Sequence, residues 1–195
     1  MRSRCVVALA GAAALGGLVA ACEPVPVVRP DAVPAASRTP APTPLAIPKD
    51  AQRVTVSWVT DGDTVALRAV RRGVLPQAVD THVRLLEIDT PESKDPDLPV
   101  QCFALRATAA TERLLPQGST AWVQTDRELH DRYGRTLGYV WNERGVFVNE
   151  ALVRRGLARV LFYRPNDRHL ERIRAAESAA RSAGRGLWSH CPDSR

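Results

Sequence analysis

The sequence predicts an α+β domain built on a small β-barrel, and two observations support this class. Five short segments have strand patterns, and the first two of them, residues 54–59 and 65–70, alternate with a period of two, which is typical of strands that bury one face. Three segments with helical patterns lie between the later strands and after them. Short strands with helices inserted late in the chain indicate the α+β class.

The first two predicted strands form a hairpin. Residues 54–59 alternate with period two, and Asp61-Gly62 separates them from a second alternating run at residues 65–70. An Asp-Gly pair between two such runs is a strong hairpin signal. The remaining predicted strands cover residues 82–88, 121–125 and 136–141.

The three predicted helices are bounded by residues that stop helices. The first covers about residues 103–115 and ends before Pro116. The second covers residues 148–155 and the third about residues 167–183, and each is followed by a glycine. Glycine is the residue that most often terminates a helix.

The N-terminal segment has the pattern of an export signal. Arg2 and Arg4 precede an uninterrupted apolar run of 16 residues, whereas a bilayer span needs about 20. Residues 1–22 are therefore predicted to be a secretory signal. The end of this segment, Val-Ala-Ala-Cys at 19–22, resembles a bacterial lipobox, which implies a lipid on Cys22. The alternatives are an ordinary signal peptide or an uncleaved anchor, each with a chance cysteine.

A proline-rich segment follows the signal. Eight prolines between residues 23 and 50 favour extended polyproline II structure, so this stretch is predicted to be a semi-rigid spacer. A leader without a role is the alternative. Residues 51–192 are predicted to form a single domain, which is long enough to bury a core.

The charge balance is compatible with a polyanionic partner. The whole chain carries 27 Lys and Arg against 21 Asp and Glu. Without Arg2 and Arg4 the balance is 25 against 21, a formal charge of +4. This excess suits nucleic acid without requiring it.

The cysteines fit an exported protein. Cys5 would leave with the signal, and Cys102 and Cys191 remain in the predicted domain. An even pair in an exported chain favours a disulfide, which would hold the C-terminal tail at the start of the first helix. Two buried free thiols are the alternative. No histidine lies at zinc-ligand spacing from these cysteines.

Four separate segments carry residue types that phosphodiester hydrolysis needs. They are Asp61–Thr64, Arg84–Glu92, Asp131–Arg135 and Asn149–Val153. In this order and spacing they resemble the staphylococcal nuclease (thermonuclease) family, from about residue 54 to residue 188. The resemblance implies an OB-fold barrel of five strands with three α-helices, and small barrels of this kind often bind oligonucleotides on one face.

Two aspartates are the candidate metal ligands. Asp63 begins the second predicted strand and Asp89 follows the third, so neighbouring strands can bring them together. Carboxylates at one point repel each other unless a cation joins them, and ligation by oxygen alone favours Ca²⁺. The resemblance implies the same set, since Asp63, Asp89 and the main-chain carbonyl of Thr90 match calcium ligands of the family. A plain hairpin turn is the alternative for residues 61–63.

Three further residues are candidates for catalysis. Glu92 is the candidate general base or water-positioning group, because a base must reach the proton directly or through one water. Arg84 and Arg135 match the two active-site arginines of the family, and a guanidinium can grip phosphate oxygens with two donors. The alternatives are a solvated loop carboxylate for Glu92 and surface charges for Arg84 and Arg135.

The resemblance also implies substrate-binding residues. Arg132 and Tyr133 match positions that hold a terminal phosphate of bound nucleotide, although the family has lysine where this chain has Arg132. Tyr163 or Phe162 falls where the family places an aromatic ring beside the nucleotide. Stacking of a base on such a ring is tolerant of sequence. Core packing is the alternative for either ring.

The sequence differs from the family pattern at about residues 69–80, where extra residues are expected to lengthen a hairpin and could reshape the substrate groove. The segment after Glu92 is short and carries Cys102.

These observations predict an exported, monomeric, Ca²⁺-dependent nuclease. It would cleave DNA and RNA with little sequence preference and release 3′-phosphate products, as the resemblance implies. The predicted lipid anchor would hold it on a membrane, at the cell surface or in the periplasm. The alternatives are a non-catalytic nucleic-acid-binding module and a surface-anchored structural domain. The presence of all five acidic and arginine site residues favours the enzyme.

Overall fold

The computed structural model describes residues 44–94, 97 and 99–191. The predicted signal segment, Cys22 and most of the proline-rich spacer lie outside the described residues, so these assignments remain predictions. Within the described part of the chain, no helix is both long enough and apolar enough to span a bilayer.

Seven strands and four helices follow one another in the described residues. They are β1 (Gln52–Val59), β2 (Thr64–Ala69), β3 (Asp80–Leu85), β4 (Ile88–Asp89), α1 (Ala104–Leu114), β5 (Thr120–Gln124), β6 (Thr136–Asn142), α2 (Val148–Arg154), β7 (Arg159–Val160), α3 (Leu170–Ser182) and α4 (Leu187–His190).

Five of these strands close into a barrel in the order β1-β2-β3-β6-β5. All neighbours are antiparallel except β3 and β6, which run parallel. The predicted five-stranded barrel with three helices is therefore confirmed, and the short α4 is additional. The barrel fixes the site because the β1–β2 turn and the end of β3 are held side by side by the β2–β3 pairing.

The core explains why these strands alternate. Inward-facing residues such as Val56, Val83 and Val123 are almost completely buried, and the intervening residues of β1 and β3 are more exposed. Every residue of β6 is buried, because α2 and the aromatic ring of Phe147 cover its outer side. Removal of this apolar surface from water stabilises the barrel.

The third strand ends earlier than predicted. The sequence predicted residues 82–88, but the strand stops at Leu85 and a turn follows, with Glu87 in the left-handed region at φ 63°. Ile88 and Asp89 then form β4, which pairs with β7 in a separate two-stranded sheet. A left-handed residue cannot continue a strand, so β3 ends and the chain turns before Asp89.

The extra residues between β2 and β3 fold back onto the barrel. The Gln52 side chain donates to the carbonyls of Arg71 and Leu75 and accepts from the Leu75 amide. The Leu75 side chain is fully buried in the core. The expected lengthening of this hairpin is present, and the loop is fixed by these contacts.

The disulfide between Cys102 and Cys191 is formed. It joins the residues just before α1 to the end of α4, as predicted for a tail held at the first helix. The alternative of two free thiols is therefore wrong.

Candidate active site

The β1–β2 turn is pressed against the segment that follows β4. A methyl group at Gly62 would lie 2.6 Å from Thr90 Oγ1 and 2.9 Å from Ala107 Cβ, so a larger residue cannot fit. Thr111 of α1 donates to the Gly62 carbonyl at 2.6 Å and holds the turn there. The glycine of this Asp-Gly pair therefore permits close approach between two parts of the site.

Asp63 accepts two hydrogen bonds from Thr90, the residue that follows the second candidate metal ligand, Asp89. Its Oδ2 atom accepts from the amide of Thr90 at 2.8 Å and from the Thr90 hydroxyl at 3.0 Å. Only 6% of the residue is exposed. Residues that are 27 positions apart in sequence are thus joined at one point.

Arg84 lies between the two candidate metal ligands. Its Nε is 3.2 Å from Asp63 Oδ1, and its Nη2 donates to Asp89 Oδ1 at 2.9 Å. Its Nη1 donates to the carbonyls of Leu85 and Ile88, both at 2.7 Å. These contacts use most of the five N–H groups of the guanidinium. A grip on phosphate by two donors therefore requires exchange of the Asp89 contact.

The site concentrates negative charge in a confined space. Burial raises the pKa of Asp61 from its ordinary value, and the neighbouring Asp63 raises it further. Burial also raises the pKa of Asp89. The Arg84 guanidinium opposes this rise, whereas the carboxylates of Asp63 and Glu92 increase it. Both shifts reflect the cost of placing carboxylates together away from water.

Arg135 is positioned by a tight turn. Gly134 has φ 78°, and its amide donates to the Asp131 carbonyl at 3.0 Å. The Asp131 carboxylate accepts from Arg135 Nε at 2.7 Å and from two backbone amides of the turn. Burial by itself would raise the pKa of Asp131, but these hydrogen bonds lower it. Arg135 Nη1 also reaches Thr64 Oγ1 at 3.4 Å.

Glu92 is fixed by backbone contacts on both sides. Its Oε1 accepts from the amides of Ser93 at 2.7 Å and Lys94 at 2.6 Å. Its own amide donates to the Gln101 side chain, and its carbonyl accepts from the Gln101 amide, both at 2.9 Å. The carboxylate is therefore held in place before any substrate binds.

One cleft of about 170 Å³ collects these groups. It is lined by Asp61, Asp63, Arg84, Asp89, Thr90, Pro91, Glu92 and Arg135. Every residue predicted for catalysis or for the metal lies here. Asp61 also lines the cleft, although it was not among the residues predicted for catalysis or for the metal.

A second cavity of about 270 Å³, the tyrosine pocket, adjoins the cleft through Arg84 and Arg135. Its lining includes Arg132, Tyr133 and Tyr163 together with the apolar side chains of β3, β4, β6 and residue 161. Phe162 does not line it, since its ring lies under the guanidinium groups of two other arginines. Of the two aromatic candidates, the structure therefore brings Tyr163 to the site.

The family comparison agrees with this geometry. A family model described as staphylococcal nuclease homologue matches residues 82–190, which is more than half of the chain. The chain belongs to the staphylococcal nuclease family.

Three curated proteins with nuclease names are similar to this chain. The thermonuclease of Staphylococcus hyicus is 37% identical over 139 residues, which cover 71% of this chain and 77% of that protein. The thermonuclease of Staphylococcus intermedius is 37% identical over 133 residues, 68% of this chain and 74% of that protein. Endonuclease YncB of Bacillus subtilis (strain 168) is 34% identical over 137 residues, 70% of this chain and 61% of that protein.

The family resemblance implies a calcium site in this cleft. Among the described residues, no group of three or more His, Cys, Asp or Glu side chains is arranged to hold a metal. The implied set needs only two carboxylates, from Asp63 and Asp89, and the main-chain carbonyl of Thr90. These hard oxygen donors, with the raised pKa values of Asp61 and Asp89, fit a hard divalent cation.

The fourth family segment has a structural role. The Asn149 side chain accepts from the Val140 amide at 3.0 Å and donates to the Leu86 carbonyl at 2.9 Å. It thereby links α2 and β6 to the turn that precedes Asp89. Glu150 pairs with Arg154 and Arg172 on the helical side of the fold.

A buried acid in the family segment 84–92 was not singled out from the sequence. Glu87 is 2% exposed, and its Oε1 accepts from Tyr139 Oη at 2.6 Å and from the His169 amide at 3.2 Å. Burial raises its pKa to about 7, against which the Tyr139 hydrogen bond acts. The signal available in the sequence was the position of this acid between the apolar residues Leu86 and Ile88, which indicates burial.

We expect Glu87→Gln to become progressively more stable than the wild-type protein as pH rises from 4.5 to 7. The folded protein holds this proton up to a higher pH than the unfolded chain, so ionisation lowers wild-type stability across that window. Glutamine keeps the acceptor for Tyr139 and has no charge. The expected difference above pH 7 is about 1 to 3 kcal/mol.

Urea unfolding at several pH values, with chelator present, measures this difference. The pKa of His169 is lowered to about 4, chiefly by burial, and its titration is common to both proteins. Parallel pH profiles for the two proteins would show that Glu87 ionises as easily in the fold as in the unfolded chain.

Proposed function

We propose that this protein is a Ca²⁺-dependent nuclease that hydrolyses phosphodiester bonds of DNA and RNA as a monomer. One observation carries the proposal: a single cleft is lined by the acids Asp63, Asp89 and Glu92 together with Arg84 and Arg135. The tyrosine pocket, which would take a nucleoside, opens beside it. Acids, guanidinium groups and a binding pocket for a nucleoside are the parts that such a reaction needs.

The chemistry of the pocket supports low sequence preference. Guanidinium groups bind phosphate, which carries no base identity. The Tyr133 ring lies 4.7 Å from the Arg132 guanidinium carbon and 5.5 Å from that of Arg135, so it forms part of the same cationic surface. Tyr163 offers a ring face to any base. Such a pocket would accept DNA and RNA alike.

The residues of the cleft divide the reaction between them. Bound Ca²⁺, held by Asp63, Asp89 and the Thr90 carbonyl, would supply electrostatic stabilisation of the charge that grows on phosphate. Glu92 accepts the proton of the attacking water or orients that water, with its carboxylate fixed by two amides. Arg84 and Arg135 orient the phosphate and offset its charge. Release of 3′-phosphate products follows the family resemblance.

We expect Glu92→Gln to lower kcat at least about tenfold, within the range for a general-base group. Glutamine keeps an oxygen acceptor for the Ser93 and Lys94 amides, so the loop is retained while the basic group is lost. Steady-state hydrolysis of DNA at saturating Ca²⁺ measures the change. Glu143→Gln, at an exposed position outside the cleft, is the matched control. Wild-type turnover in Glu92→Gln would remove this residue from the mechanism.

The function is tested by incubating the purified protein with plasmid DNA and with RNA, in Ca²⁺ and in chelator. Digestion of both substrates in Ca²⁺ alone is expected. Equal digestion in chelator would contradict the metal assignment. Retarded migration of intact nucleic acid without digestion would instead support a non-catalytic binding module.

The proposal extends to an exported, lipid-anchored protein, on the strength of the signal pattern and Cys22. The disulfide supports it, because such bonds persist in oxidising compartments. Mass spectrometry of the detergent-extracted protein should show a lipid on Cys22 that is absent from Cys22→Ser. Release of both proteins into the soluble fraction would exclude the anchor.

A further inference from the structure

The candidate base, Glu92, is tied to the segment that precedes α1. Its amide donates to Oε1 of Gln101 at 2.9 Å, and the Gln101 amide donates to the Glu92 carbonyl at 2.9 Å. The two residues are 9 positions apart in sequence. The Glu92 carboxylate accepts from the amides of Ser93 and Lys94, which lie within the segment that these bonds close. The direction of the carboxylate therefore depends on where Gln101 holds the segment.

Gln101 contacts Glu92 without being part of the cleft. It does not line the space where the phosphate would bind. Gln101 is exposed, and a hydrogen bond at an exposed position adds little to the free energy of unfolding, because water replaces it in the unfolded chain. The effect of this bond is therefore local: it fixes the position of Glu92.

A strained turn sets the position of Gln101. The Gln101 carbonyl accepts from the Ala104 amide at 3.0 Å, so residues 101–104 turn tightly into α1. Phe103, inside this turn, has φ 72°, which lies in the left-handed region. This conformation is unfavourable for a residue with a large side chain and persists where neighbouring contacts enforce it. The turn therefore depends on contacts from outside it.

The C-terminal end of α4 supplies such contacts. Cys102, directly before Phe103, is joined to Cys191 by the disulfide. The Phe103 ring lies 5.6 Å from the His190 ring, centre to centre. His190 and Cys191 are neighbours in sequence, so one short segment holds the turn through a covalent bond and a ring contact.

This C-terminal segment is itself packed against the domain. Leu187 of α4 is 1% exposed, and its amide donates to the Gly156 carbonyl at 2.9 Å. The Gly156 carbonyl also leaves no room for a methyl group at Gly186. The disulfide thus connects a closely packed part of the fold to the turn that carries Gln101.

We propose that Gln101 is a positioning residue for Glu92 and that the Cys102–Cys191 disulfide holds it in position. The proposal rests on the nuclease function and adds regulation by redox conditions to it. Reduction of the disulfide allows Phe103 to leave the left-handed region. Gln101 then no longer fixes Glu92, and turnover falls.

The reductant is a small dithiol. One of its thiolates attacks a cysteine sulfur and forms a mixed disulfide, and its second thiol then displaces that cysteine. The S–S bond of the protein breaks, two cysteine thiols form, and the dithiol closes to a cyclic disulfide. Two electrons and two protons pass from the dithiol to the protein.

The first test compares two substitutions of Gln101 in the full-length protein. Gln101→Met keeps an unbranched side chain without the oxygen acceptor, whereas Gln101→Glu keeps an oxygen acceptor. We expect Gln101→Met to lower kcat on DNA about three- to tenfold, the range for loss of one hydrogen bond, with KM changed by less than about twofold. Gln101→Glu should retain most of the wild-type kcat.

Gln117→Met is the matched control, because Gln117 is exposed and lines neither the cleft nor the tyrosine pocket. It should leave kcat unchanged. Wild-type kcat in Gln101→Met, or equal losses of kcat in the two Gln101 variants, overturns the proposal.

A double-variant cycle separates positioning from a general structural effect. With Glu92→Gln there is no base to position, so adding Gln101→Met should lower kcat by less than about 1.5-fold. Disturbance of the whole cleft would lower kcat by the same factor in both backgrounds. That result overturns the proposal.

Reduction is tested with dithiothreitol in sucrose, which favours the folded state. The kcat of the wild-type protein should fall by about the factor seen for Gln101→Met, and that of Gln101→Met should fall by less than about 1.5-fold. Cys102→Ser/Cys191→Ser should behave like the reduced protein. Near-ultraviolet circular dichroism checks that each protein is folded.

Two results overturn the role of the disulfide. One is a folded, reduced protein with wild-type kcat. The other is a reduced protein that unfolds even in sucrose, because the bond then maintains the whole fold rather than the turn at Gln101.

Backbone order parameters give a readout that does not need activity. The amides of residues 92–94 should have order parameters of about 0.85 in the oxidised wild-type protein and below about 0.6 in Gln101→Met and in the reduced protein. If the wild-type protein hydrolyses no nucleic acid, the nuclease function is overturned, and these values still decide whether Gln101 fixes Glu92. Equal order parameters in all three samples overturn the positioning itself.

Discussion

Replacing Arg84 by lysine should lower kcat on DNA about a hundredfold, the scale of losing a transition-state donor. Arg84 contacts Asp63, Asp89 and two main-chain carbonyls through separate nitrogen atoms. A lysine ammonium is a point charge on a flexible stem and cannot make this set of contacts at once. The variant keeps a positive charge in the cleft but loses the arrangement of N–H donors that Arg84 provides.

Steady-state kinetics at saturating Ca²⁺ measures this effect, and kcat is expected to fall more than KM rises. Arg68→Lys is the matched control, because Arg68 pairs with Asp80 on the exposed side of the barrel. Thermal unfolding of both variants checks that the turn after β3, which Arg84 stabilises, remains folded. An Arg84→Lys protein with wild-type kcat would exclude a role for the guanidinium fork.

Removal of the disulfide should have the largest effect on stability. Cys102 and Cys191 are separated by 89 positions, so the bond closes most of the domain into one loop. The chain-entropy model gives a loss of about 4 to 5 kcal/mol in the free energy of unfolding as an upper value. A typical domain has a free energy of unfolding of about 5 to 15 kcal/mol, so this bond would supply a large part of the stability of this protein.

Urea unfolding of Cys102→Ser/Cys191→Ser and of the oxidised wild-type protein measures this loss. The reduced wild-type protein is the control and should match the double variant. The m-value is compared as well, since opening the loop exposes more surface in the unfolded state. A difference below about 1 kcal/mol would show that the chain-entropy model does not describe this loop.

The sequence predicted which residues form the cleft better than it predicted the hydrogen bonds between them. The spacing of the motifs indicated Asp63, Asp89, Glu92 and the two arginines, and all of them line one cleft. The sequence suggested that Arg84 grips phosphate with two donors, whereas the structure uses most of those donors on protein oxygens. Hydrogen-bond partners depend on the positions of carbonyl groups after folding, and residue types do not give those positions.

The sequence by itself determined the barrel and the membership of the cleft, through its resemblance to the staphylococcal nuclease family. Alternation with period two assigns the residues of β1 to two faces, and the Asp61-Gly62 turn joins the first two strands. These signals are local, so they survive without knowledge of the rest of the chain. The acidic and arginine residues were recognisable because their order and spacing match the motifs of the family. Residue type alone left a plain hairpin turn and surface charges as alternatives.

Only the tertiary structure decided the surroundings of the cleft. The β4–β7 sheet has two residues in each strand, too few to show any period. Burial of Glu87, the choice of Tyr163 over Phe162, and the contact of His190 with the turn before α1 each depend on distances between residues remote in sequence. Such distances are set when the helices and the disulfide close over the barrel, because packing joins segments that no local pattern relates.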